Sequence, residues 1–126
     1  MNGRGLRIQM RSDRHKKLSN ELERILAILI AQYQPEKIIL FGSLATGDWQ
    51  AWSDVDLAII KNTDETFLQR SKQVALMCRP SVGVDFLVYT PAEFQQMIAE
   101  KNPFVLTEIL EKGKVLYDRH AVAAVA

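Results

Sequence analysis

The stretch Asp54-Val55-Asp56-Leu57-Ala58-Ile59-Ile60 constrains this chain more than any other part of it. Its aliphatic, β-branched run reads as a strand, and side chains alternate between the two faces of a strand. Asp54 and Asp56 therefore share one face, one pleat apart, while Val55, Leu57 and Ile59 point to a core. Two carboxylates that close repel each other. A divalent cation removes the conflict, because magnesium takes oxygen ligands and usually binds through one or two carboxylates plus substrate phosphates.

The rest of the pattern supplies partners for that strand. Leu18, Leu22, Ile25, Leu26, Leu29 and Tyr33 recur at helical spacing, which predicts a helix from about Asp13 to Tyr33, ended by Gln34-Pro35. Lys37 to Phe41, closed by Gly42, reads as a buried strand, followed by a polar connection through Gly47 and Asp48. Thr63 or Asp64 is placed to cap a helix running to about Cys78. Pro80 and Gly83 bracket a turn into a third strand, Val84 to Tyr89. Thr90-Pro91-Ala92-Glu93 has the N-cap, N1 proline and N3 acid of a helix start. A helix from about Pro103 to Lys112 stops at Gly113, and Lys114 to Tyr117 reads as a last short strand. The expected fold class is α/β (α+β), a small mixed sheet flanked by helices. Its 126 residues suit one domain, here residues 13–118, with a poorly ordered leader (residues 1–12) and a short tail (residues 119–126).

Composition narrows the function classes. A hydrophobic share of 48% with 25% charged residues is ordinary for a soluble globular protein. The longest apolar runs are too short to span a membrane, and the basic N-terminus lacks the apolar stretch of a secretory signal. A cytoplasmic location without membrane contact is the expectation. Cys78, the single cysteine, excludes an internal disulfide and reads as a buried structural thiol. His15 and His120 have no metal-ligand spacing and read as solvated. The first 17 residues carry Arg4, Arg7, Arg11, Arg14, Lys16 and Lys17 against Asp13 alone. With no aromatic side chain between them for base stacking, direct nucleic-acid binding is not expected; salt-sensitive RNA binding lost on removing residues 1–17 is the alternative.

Three further candidates accompany the acid pair. Gly42-Ser43 follows a buried strand, where glycine lets the backbone approach a ligand and a turn opening a helix offers N–H groups to a phosphate. It is not a Walker A loop, since no Gly-Lys-Ser/Thr triplet is present. Asp85 lies mid-strand on the face of Leu87 and Tyr89, opposite Val84, Phe86 and Val88. A charge there needs a partner: a metal shared with Asp54 and Asp56 supplies one, and an edge-strand acid facing water is the plainer reading. Trp49 and Trp52 read either as partner-binding aromatics or as caps on the core. Lys61 and Arg79, at strand ends, either meet phosphates or are solvated.

Taken together, Phe41-Gly42-Ser43-Leu44-Ala45-Thr46-Gly47, a ten-residue gap from Ser43 to Asp54, Asp54-Val55-Asp56 and the distal Asp85 resemble the minimal branch of the nucleotidyltransferase superfamily related to DNA polymerase beta. The resemblance spans about residues 18–118 and implies a polymerase beta palm-like fold. It implies that Gly42 and Ser43 bind the triphosphate of ATP. It further implies that Asp54, Asp56 and Asp85 hold two Mg2+ ions, and that Asp85 helps activate an acceptor hydroxyl. The implied reaction is in-line attack on the α-phosphate with release of pyrophosphate. Larger relatives use a C-terminal helical domain for their acceptors, and a chain of this length is expected to lack it. Minimal members pair with a HEPN-family toxin, so the resemblance implies an antitoxin that transfers AMP to a tyrosine of that partner in a type VII-like toxin–antitoxin pair. An antitoxin acting by binding alone, and a small-molecule nucleotidyltransferase of the aminoglycoside type working as a closed dimer, are the alternatives.

Overall fold

A computed structural model describes residues 3–47 and 54–121 of the chain, with side chains from Arg14 onward. Its helices are α1 (Gly3–Ile28), prolonged by a π-helical stretch at Leu29–Tyr33, then α2 (Phe67–Cys78), α3 (Pro91–Ala99) and the π-helical α4 (Phe104–Glu111). The strands are β1 (Lys37–Phe41), β2 (Val55–Ile60), β3 (Val84–Tyr89) and β4 (Lys114–Asp118). They form one mixed sheet in the order β3-β2-β1-β4. β1 runs antiparallel to both β2 and β4, while β2 and β3 are parallel and joined through α2. The expected α/β (α+β) sheet flanked by helices is therefore present.

The period of two along the strands builds two cores. Ile38 and Leu40, Val55, Leu57 and Ile59, and Phe86 and Val88 meet Leu18, Ile25 and Leu29 of the first helix and Val74 and Cys78 of α2. The alternate residues Ile39, Phe41, Ala58, Ile60 and Tyr89 meet Phe94, Val105 and Ile109 of α3 and α4. Burying a side chain such as Ile25 or Ile59, both wholly inaccessible, contributes about 1.5–3 kcal/mol.

Two polar clamps fix the helices. Arg24 donates to both oxygens of Glu21 (2.9 and 2.7 Å) and to the Cys78 carbonyl (2.8 Å), while Glu21 accepts from the Ser81 amide. This ties α1 to the turn that leads into β3. Arg70 is buried, and its guanidinium meets the Glu65 and Val88 carbonyls and both oxygens of Glu93. Ser71 Oγ donates to the Phe86 carbonyl at 2.9 Å. Together Arg70 and Ser71 cap two carbonyls of β3, the strand at one end of the sheet.

Three local expectations are corrected. Helical backbone begins at Gly3 rather than near Asp13, so α1 takes in the basic leader from that residue on. α2 is capped by Thr66, in a capping box with Gln69, because the Thr63 hydroxyl is taken up by the Glu65 amide in the preceding bend. Residues 43–47 form successive turns, closed by Ala45 N–H to Gly42 O and Gly47 N–H to Leu44 O, and are not themselves helical. The Thr90 and Glu93 capping box with Pro91 is as expected, as is the strand over Lys114 to Tyr117. No helix among the described residues is long and apolar enough to cross a membrane.

Candidate active site

Pairing register decides which acids meet. Asp56 stands opposite Phe41 of β1 on one side and opposite Asp85 of β3 on the other. Both carboxylates lie on the α3/α4 face of the sheet, near the strand ends where that cover gives out. Strand pairing sets the Asp56 and Asp85 carboxyls in contact as direct cross-strand neighbours. Burial above all, then that contact and the charges of Asp85 and Asp54, push the Asp56 carboxyl up to about 6. Asp54, one residue before β2, is exposed but close enough for its charge to be felt at Asp56.

Each acid of the Asp-Val-Asp motif is seated on a glycine. Gly42 has φ +76°, and a Cβ added to it would overlap Asp56 Oδ2; a Cβ on Gly83 would overlap Asp54 Oδ1. The positive φ turns the chain off β1, and the missing side chain lets the Gly42 backbone lie directly against the Asp56 carboxylate. Ser43 follows in the turn, partly exposed. The structure thus brings Gly42, Asp56 and Asp85 together, with Ser43 and Asp54 alongside.

Among the described residues no three His, Cys, Asp or Glu side chains are gathered into a ready-made metal cluster. The donor chemistry nonetheless fits magnesium: hard carboxylate oxygens on paired strands, and open space beside them for ligands from phosphate and water. That space is a cleft of about 530 Å³, lined by Asp56 and Asp85 together with Lys72, Phe104 and Phe41. Phe41 and Phe104 pack edge-to-face with centroids 5.5 Å apart. A second hollow, of about 480 Å³, lies between Lys16, Lys17, Arg24 and Ser81 and contains none of the acids.

The remaining candidates lie elsewhere. Lys61 Nζ sits over the Tyr33 ring, 5.1 Å from its centroid, and Arg79 is an exposed left-handed C-cap. Cys78 is buried, and burial pushes its thiol up, away from reactivity. His15 and His120 are exposed. Trp49 and Trp52 fall outside the described residues. Sequence reasoning missed Lys72, Phe104 and the seat that Gly83 gives Asp54. Only the register of α2 and α4 against the sheet reveals them.

Comparison with known proteins followed from this geometry. The family model described as "Polymerase beta, Nucleotidyltransferase" matches residues 23–121. Two curated relatives from Methanocaldococcus jannaschii carry names that assign them, by inference, as protein adenylyltransferases. One is 33% identical over 82 residues, covering 65% of this chain and 78% of the relative. The other is 36% identical over 70 residues, covering 56% and 68%. Among solved structures, a protein from Sulfolobus solfataricus described as a candidate nucleotidyltransferase superposes with a TM-score of 0.54 at 17% identity, over 90% of this chain and 87% of that one. A chain from a toxin–antitoxin structure with AMP-PNP superposes with a TM-score of 0.51 at 20% identity, over 84% and 79%. At those identities the two structures speak for the fold alone.

Proposed function

Since the chain belongs to the polymerase beta nucleotidyltransferase family, we propose that it transfers AMP from ATP to a hydroxyl of a partner protein. The observation that carries this reading is the Asp56–Asp85 pair held in register beside the positive-φ Gly42. The names of the Methanocaldococcus relatives favour a protein as acceptor. The finer assignment, a tyrosine of a HEPN-family toxin with this chain as its antitoxin, rests on the resemblance of the Gly42-Ser43 and Asp54-x-Asp56 motifs to the minimal branch. The likeness to a toxin–antitoxin chain is in keeping with it.

In this proposal Gly42 and Ser43 present backbone N–H groups and a hydroxyl to the triphosphate. Asp54, Asp56 and Asp85 would hold two Mg2+ ions. When bound, these would neutralise the phosphates and stabilise the attacking and leaving oxygens. The acceptor oxygen attacks the α-phosphorus, the bond from that phosphorus to the β-bridging oxygen breaks, and pyrophosphate leaves with the electron pair. The hydroxyl proton passes to the Asp85 carboxylate. The cleft beside Asp85 leaves room for the acceptor side chain to enter.

The test is transfer of label from α-labelled ATP, with magnesium, to the protein encoded by the neighbouring gene. Label that is lost in Asp54→Asn and Asp56→Asn variants is the expected result. A tight complex that never takes up label would point instead to an antitoxin acting by binding alone. Label appearing only on small hydroxyl compounds would point to the small-molecule class.

A further inference from the structure

The acid cleft carries a charge problem that the motif residues do not solve. Asp54, Asp56 and Asp85 are all acids, and strand pairing sets Asp56 directly beside Asp85. A triphosphate adds more negative charge. The Gly42-Ser43 turn contributes backbone dipoles but no cation, since residues 41–47 contain no lysine or arginine. Two metal ions offset only part of the total.

A single basic side chain lines the cleft, and it comes from α2 rather than from any motif. Lys72 lines the same cleft as Asp56 and Asp85 and makes no ion pair among the described residues. Two anchors fasten its helix to β3. Immediately before Lys72, Ser71 Oγ is bonded to the Phe86 carbonyl of β3. One residue earlier still, Arg70 is clamped to Val88 O and to Glu93. These anchors set the rotation of α2 about its axis and leave Lys72 exposed at the rim of the cleft. An exposed lysine on a helix is ordinarily a solvated charge. An unpaired lysine that lines the same cleft as two carboxylates, at a phosphate-transfer site, has a use.

Resting on the transferase reading, we infer that Lys72 is a phosphate-binding residue, whose ammonium group neutralises the nucleotide's phosphates as they lie against the acid pair. Lysine suits the task as a compact point charge on a flexible stem, able to follow phosphate oxygens from the bound nucleotide into the departing pyrophosphate. The chain thereby obtains from its crossover helix a cation that the Gly-Ser turn lacks.

The probe is N-methylanthraniloyl-ATP with magnesium, titrated by fluorescence into full-length protein. Lys72→Met, which keeps the length and removes the charge, should bind about tenfold more weakly. Lys72→Arg should recover most of the affinity, and the salt dependence of binding should be shallower in Lys72→Met than in wild type. Both variants should melt as wild type does, because Lys72 is exposed and unpaired. A Lys72→Met affinity within twofold of wild type would overturn the assignment while leaving the transferase reading intact. So would unchanged nucleotide affinity accompanied by slower transfer to the acceptor, which would move Lys72 to the acceptor side. A wild-type protein that binds no nucleotide would overturn the transferase reading, and the role of Lys72 with it.

Discussion

Replacing Glu21 by Gln removes one charge from the clamp that ties α1 to the turn before β3. The Arg24 guanidinium above all, opposed by burial and helped by the Ser81 amide, holds the Glu21 carboxyl down from 4.5 to about 2. At about 1.4 kcal/mol for each pH unit, that difference corresponds to roughly 3 kcal/mol of linked stability. Arg24 keeps 43% of its side chain in solvent, so screening reduces the expected contribution to about 1–2 kcal/mol. The sign follows from a depressed acid. The contribution is complete above the unfolded value near 4.5 and is lost as pH falls from there toward 2. Urea unfolding of wild type and Glu21→Gln should therefore differ by about 1–2 kcal/mol at pH 7, and the difference should shrink steadily below about pH 4.5. A gap that is the same at pH 7 and pH 3 would show that packing, not the ion pair, sets the cost. The clamp also bears on the site, since Ser81 lies two residues before Gly83, on which Asp54 is seated.

Gly42→Ala should cost about 1–3 kcal/mol, from a side chain at positive φ and from displacement of the Asp56 carboxylate; a melting curve matching wild type would refute the close seating. Asp56→Asn should stabilise the metal-free protein by about 1–2 kcal/mol near pH 8, because a carboxyl raised to about 6 is penalised as an anion above that pH. The advantage should fade as pH falls toward 4, and added magnesium should raise the melting temperature of wild type only. Arg70→Ala should cost about 2–4 kcal/mol in chemical denaturation by orphaning the buried Val88 carbonyl and breaking the contact with Glu93. Glu93 is 45% exposed on its side chain, and Glu93→Gln, which retains an acceptor for Arg70, should cost about 1 kcal/mol or less.

The strands and their acids were legible because alternation is a local property. Val55, Leu57 and Ile59 against Asp54 and Asp56 can be sorted by inspection, and the same holds for Phe86 and Val88 against Asp85. The caps at Thr90 and Glu93 were legible for the same reason. What could not be read was strand pairing, which depends on distant segments. Nothing within β2 or β3 announces that they run parallel, or that Asp56 faces Asp85 rather than Phe86. The burial of Arg70 was equally hidden, since an arginine in an amphipathic helix is expected in water until a carbonyl and a carboxylate are found to enclose it. Thr63, Asp64 and Thr66 are all fit to cap a helix. The choice fell to Thr66 because only there does a glutamine three residues on complete the reciprocal bonds.

The parallel union of β2 and β3 has a bearing on how the molecule comes into being. Parallel neighbours require a connection that crosses the whole sheet, and α2 is that connection. The Asp56–Asp85 encounter is thus reached only after the crossover through α2 closes. A nascent chain halted before β3 holds the Gly-Ser turn and the Asp-Val-Asp motif but not Asp85, so the three acids come together only once β3 has paired with β2.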